Sequence, residues 1–121
     1  MLTIPCRATT HFYRFNGATA FDGDLSNFDT SRVTEMIGMF YNAKAFSGQG
    51  VSNFELSSVT DMRYMFQDAS LFNQNLCVWQ DNFPYNPYTI AQGIFFNSGC
   101  TYQNTPQEAQ KGPFCASDCS Q

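Results

Sequence analysis

The acidic run Asp22-Gly23-Asp24, followed by Asp29, is the closest approach in this chain to a cation-binding loop. Carboxylates at such spacing can wrap Ca2+, but the helix-flanked form of that site needs Gly at its sixth position and Glu at its twelfth. Counted from Asp22, those positions hold Asn27 and Val33, and the matching stretch downstream, Ser47-Gly48-Gln49, drops both carboxylates. The run therefore reads as a solvated turn, and no metal is expected. His11 is the only histidine and has no acidic or cysteine partner nearby in sequence, so a catalytic dyad is not supported. Cys6 carries no mark of a nucleophile and reads as an unpaired thiol or one whose partner has been truncated away. Met36 with Met39, and Met62 with Met65, lie at helical spacing beside Phe, which is the pattern of core filler. No Gly-rich phosphate loop is present. These residues give no cofactor and no enzyme.

Binding is the remaining chemistry. Tyr13, Tyr41 and Tyr64 fall off the Met/Phe face, where exposed rings can meet sugars or proteins. Asn27 and Asn53 occupy matching places before an aromatic residue and complete the set of binding candidates. Only 13% of residues are charged and the net charge is −4, so the polar surface is mostly amide and hydroxyl. The six basic residues form no cluster, which excludes the cationic footprint of nucleic-acid binding. No apolar stretch approaches the length of a membrane span.

What positions these residues is repetition. Phe15-Asn-Gly-Ala18-x-x-Phe21-x-x-x-Leu25-x-x-Phe28 leads to Val33-Thr-Glu-Met36-x-x-Met39-Phe40. A second copy runs from Phe40 through Phe46, Val51, Phe54 and Val59-Thr-Asp-Met62 to Phe66, and a third from Phe66 through Phe72 and Leu76 to Trp79. The step is 25 residues from Phe15 to Phe40 and 26 from Phe40 to Phe66. A period of this size signals stacked units, none of which buries its apolar side alone. Met62, Met65 and Phe66 sit at i, i+3 and i+4, so the spacing predicts a short helix with Thr60 at its cap. Gly17, Asn42, Asp68 and Asn97 recur two residues past the Phe and predict the left-handed stop of that helix. The leg from Phe21, Phe46 or Phe72 to Phe28, Phe54 or Trp79 reads as extended or short strand.

Cysteines 77, 100, 115 and 119 follow the clean repeats. In a small domain such clustering points to disulfides and an oxidising compartment. Of the three possible pairings, Cys77–Cys100 with Cys115–Cys119 is preferred, tying the last two coils together and leaving Cys6 free. The start of the chain has no long apolar segment of the signal-peptide type, so the sequence reads as a fragment or a mis-started chain.

The wording Phe-x-x-Ala-x-x-Phe-x-x-x-Leu-Ser-Asn-(Phe/Trp), continued by Val-Thr-x-Met-x-x-Met-Phe, resembles the 25-residue surface-protein repeat of mycoplasma lipoproteins, bacterial surface proteins and some microbial eukaryotes. That repeat is grouped with the BspA-like leucine-rich-repeat surface proteins. The match covers residues 12–79 well and 94–98 in part. Leu76-Cys77-x-Trp79 with Gly112-Pro-Phe-Cys115-Ala-Ser-Asp-Cys119 resembles the endings of algal members. The resemblance implies an extracellular or cell-surface protein with binding or adhesion roles.

The expected fold is α/β: a leucine-rich-repeat-like solenoid of about four coils with short strands and helices, plus an irregular disulfide-stapled C-terminal cap. Residues 1–14 read as a degenerate coil or truncated start, 15–79 as the repeat solenoid, and 80–121 as a final irregular coil and cap. The expected function is non-enzymatic recognition of protein or glycan, without nucleic acid or membrane insertion. The alternative is a structural spacer within a longer surface protein, with no ligand of its own.

Overall fold

The computed structural model describes residues 15–120. Among them there is no α-helix and no β-strand. The helical pieces are single 3-10 turns at Val51–Asn53, Cys77–Trp79 and Tyr88–Ala91, and the strand-like pairings are isolated bridges such as Glu35 with Asp61. This overturns the expected α/β, leucine-rich-repeat-like solenoid of helices and strands. The reason lies in the middle of the predicted helix. Gly38, Tyr64 and Gly93 occupy matching positions and have φ of 57°, 56° and 69°, a left-handed backbone at which a right-handed helix of L-residues ends. The predicted stops Gly17, Asn42, Asp68 and Asn97 are left-handed too, at 73°, 61°, 64° and 57°. With two such residues four positions apart, the segment becomes a run of tight turns.

The backbone hydrogen bonds of this run divide in two. Met39, Tyr41 and Ala43 N–H close local turns onto the carbonyls of Met36, Gly38 and Phe40. The alternate donors, Met36, Gly38, Phe40 and Asn42, reach the carbonyls of Asp61, Arg63, Met65 and Gln67 in the next repeat at 2.8–2.9 Å. Met62, Tyr64, Phe66 and Asp68 donate in the same way to Ile90, Gln92, Ile94 and Phe96. Polar backbone in a buried stack must be paired, and this alternation does so without a helix or a sheet. The turns still bring i, i+3 and i+4 to one side: Met62, Met65 and Phe66 are fully buried.

The legs, predicted as strands, are joined by scattered bonds. Leu25 N–H reaches Gln49 O, and Thr60 N–H returns to Thr34 O. Thr30 is buried, and its hydroxyl both donates to Glu55 O (3.1 Å) and accepts from Glu55 N–H (2.7 Å). A side chain there does the work of a backbone pair, so no ladder propagates.

Two columns of rings run through the core. Phe15, Phe40, Phe66 and Phe95 stack at centroid distances of 5.4, 5.3 and 5.9 Å, with planes 5°, 2° and 17° apart. Beside them Phe21, Phe46 and Phe72 stack at 5.5 and 6.2 Å. Within the first three repeats the columns touch, as Phe66 does Phe72 at 3.9 Å. Each buried Phe contributes about 1.5–3 kcal/mol, and each ring pair about 0.5–1.5 kcal/mol more.

The carboxyl-terminal end is held covalently. The bridges are Cys77–Cys119 and Cys100–Cys115. All four predicted cysteines are thus bridged, but the preferred Cys77–Cys100 and Cys115–Cys119 pairing is wrong. That pairing rested on Cys77 and Cys100 lying on successive coils. Instead the tail doubles back. Cys115 bridges to both Asn75 and Tyr102, and Ala116 N–H reaches Gln74 O. Cys115 therefore meets Cys100, and Cys119 comes back to Cys77.

Candidate functional site

The turn run carries the exposed rings. Tyr41 and Phe96 each follow a core phenylalanine and are 37% and 59% exposed, while Tyr64 is 39% exposed two residues before one. Burial of Phe40, Phe66 and Phe95 forces the following residue outward, so Tyr41 and Phe96 hold the same position in their repeats and Gln67 takes it in the repeat between them. Tyr64 stands where its neighbours have Gly38 and Gly93. A left-handed backbone costs a residue with a Cβ about 1–2 kcal/mol, so the ring is kept at an unfavourable site. Gly93 makes room for it: a Cβ there would lie 2.8 Å from the Tyr64 ring. The three rings lie on the turn runs of successive repeats, and these hydrogen-bonded runs make up one edge of the stack.

One residue before Tyr64, the Arg63 guanidinium grips the Asp61 carboxylate through two bonds of 2.9 Å. The bonds to Asp61 and the Asp61 charge raise the Arg63 pKa. Thr60, Asp61, Arg63, Pro87, Thr89 and Ile90 line a shallow open cleft.

Of the predicted binding residues, Tyr41 and Tyr64 are both exposed on the turn runs of successive repeats. Asn27 and Asn53 are exposed on another leg of each repeat and do not join them. Tyr13, with Cys6 and His11, lies outside the described residues. Phe96 was missed, although the match of Ile94-Phe95-Phe96-Asn97 to Met39-Phe40-Tyr41-Asn42 puts it in register with Tyr41.

The acidic run serves the turns. Asp22 accepts from the backbone N–H and hydroxyl of Ser47 in the next repeat, at 2.9 and 2.8 Å. Asp24 and Asp29 accept from Ser26 and Ser31 in the same way. These donors lower all three carboxyl pKa values. Among the described residues, no three His, Cys, Asp or Glu side chains gather as a metal-binding group. No helix among them is long and apolar enough to cross a membrane.

Residues 8–104 match the family described as Mycoplasma protein of unknown function, DUF285. The chain belongs to this family. No curated protein and no solved structure matches it. The DUF285 match takes in every stacked phenylalanine and the whole aromatic edge, and it ends before Thr105, Cys115 and Cys119.

Proposed function

We propose that this DUF285 chain is a non-enzymatic recognition or adhesion module of the extracellular or cell-surface kind, binding protein or glycan through the edge that carries Tyr41, Tyr64 and Phe96. The observation that carries this reading is Tyr64: a tyrosine retained in a left-handed backbone where both neighbouring repeats have glycine. Backbone strain of this sort collects where a side chain is needed for function. Rings set on a rigid stack bind with little loss of conformational freedom, and several weak contacts from successive repeats add up. The weakly charged surface suits neutral ligands. Two disulfides fit an oxidising compartment, and the resemblance to BspA-like surface repeats supports the same placement.

The test is a glycan array and a panel of extracellular-matrix proteins, probed with the folded chain and with Tyr41→Ala, Tyr64→Gly and Phe96→Ala singly and together. Binding that weakens with each change and vanishes in the triple variant supports the module. Silence across both panels, with normal folding, turns the assignment to a structural spacer of a longer surface protein. Turnover of a substrate by the purified chain overturns the non-enzymatic reading.

A further inference from the structure

The turn run has a direction. Gly38 N–H and Asn42 N–H are taken by carbonyls of the next repeat, and Tyr64 N–H and Asp68 N–H by carbonyls of the one after. In the last repeat the equivalent donors are those of Gly93 and Asn97. Residues 98–120 do not form another repeat, yet both are met. Thr105 Oγ1 accepts from Gly93 N–H at 3.4 Å, and Gln103 Oε1 accepts from Asn97 N–H at 3.1 Å. Gln103 is itself anchored, its amide donating to Ser98 O at 2.9 Å. Both residues belong to the loop that the Cys100–Cys115 bridge closes. Two side-chain oxygens therefore stand where a fifth repeat would place two carbonyls.

We propose that the Cys100–Cys115 loop is a terminator: by mimicking two of the four carbonyls of a further repeat, it occupies Gly93 N–H and Asn97 N–H at the donor end of the stack and so blocks addition of another repeat. The excluded occupant is a repeat of this same type, brought by a second copy of the chain. The complementarity is already present in this molecule, where each turn run meets the donors of the run before it with its own carbonyls. An unfilled row of backbone donors is a template for such pairing.

The test compares the full chain with Gln103→Leu/Thr105→Val, which removes both acceptors, and Gln103→Glu/Thr105→Ser, which keeps an oxygen at each place. The readouts are residue-resolved amide exchange and sedimentation over a range of concentrations. Removing the acceptors is expected to speed exchange at Gly93 and Asn97 roughly tenfold, the upper end of what one net hydrogen bond supplies. Tyr64 and Asp68, bonded inside the stack, should keep their protection, and the variant should self-associate as concentration rises. The oxygen-retaining variant should match the parent in both readouts. Unchanged exchange at Gly93 and Asn97 overturns the assignment. So does fast exchange in a variant that stays monomeric at every concentration, or equal behaviour of the two variants. Loss of protection at Tyr64 and Asp68 would make the loop an ordinary part of the fold and overturn the terminator.

Discussion

The middle of the stack and its carboxyl-terminal end meet the same two demands by different means. Around Phe40 and Phe66, each ring lies between two others, and the turn run finds its acceptors in the next copy of itself. Residues 100–120 do not form a next copy. Side-chain oxygens replace carbonyls, two bridges reinforce a separate cluster of Trp79, Phe83, Tyr85 and Phe114, and the last member of the second ring column is Phe72. Repetition makes every interior unit both support and supported, whereas an end must bring in chemistry that the repeat lacks.

The largest effect expected is in the interior. Phe66→Ala leaves a cavity with rings on both sides and should cost about 3–5 kcal/mol in chemical denaturation. Phe15→Ala should cost clearly less, because the described ladder continues on one side of it only; equal losses would break the contrast. At the end, replacing Cys77 and Cys119 together by Ala removes a 42-residue closure, worth about 4 kcal/mol by loop entropy. The same change at Cys100 and Cys115, 15 residues apart, should cost about 3 kcal/mol. A stability indifferent to both pairs would show that the end, like the interior, is held by packing. A smaller effect is expected at Tyr64. Glycine accepts the left-handed backbone and alanine does not, so Tyr64→Gly should be about 1 kcal/mol more stable than Tyr64→Ala; the reverse order would remove the strain argument.

The smallest effect concerns acid. Asp22 has its folded-state pKa lowered below the ordinary 3.8 by the Ser47 N–H and hydroxyl. A lowered carboxyl pKa stabilises above the unfolded value, and that stabilisation is lost as pH falls through the folded value. Thermal stability should therefore decline as pH drops below about 3.8, and Asp22→Asn should make the decline shallower. An unchanged acid profile in that variant would separate Asp22 from the joining of the first two repeats.

Periodicity made the Phe column, the left-handed stops and the cysteine-bearing end legible in the sequence. It did not reveal the secondary structure. Met62, Met65 and Phe66 reach one side through a helix or through successive turns alike, and hydrophobic spacing is blind to the difference. The deciding residue was visible in two places: Gly38 and Gly93 stand inside the supposed helix, where glycine is disfavoured. Tyr64 in the copy between them hid the pattern, because tyrosine rarely adopts that backbone. The cysteine pairing was not legible, since it depends on how the tail folds back over Gln74 and Asn75, and neither residue marks that return. At the candidate site, Tyr41 and Tyr64 could be picked as rings off the core face. Phe96 could not while phenylalanine was taken as core, although its register with Tyr41 was already in hand.

The one-way donation along the turn run also has an electrical consequence. Each peptide group carries a dipole of about 3.5 D, and the N–H groups of Gly38, Tyr64 and their companions all point toward the later repeats. This edge is thus polarised in the sense opposite to an α-helix, whose positive pole lies at its amino end. Here the positive pole falls at the last repeat, under the oxygens of Gln103 and Thr105. Lifting that loop would uncover a weak anode along the stack, drawing carboxylates or sulfates to one end of a molecule whose net charge of −4 otherwise repels them.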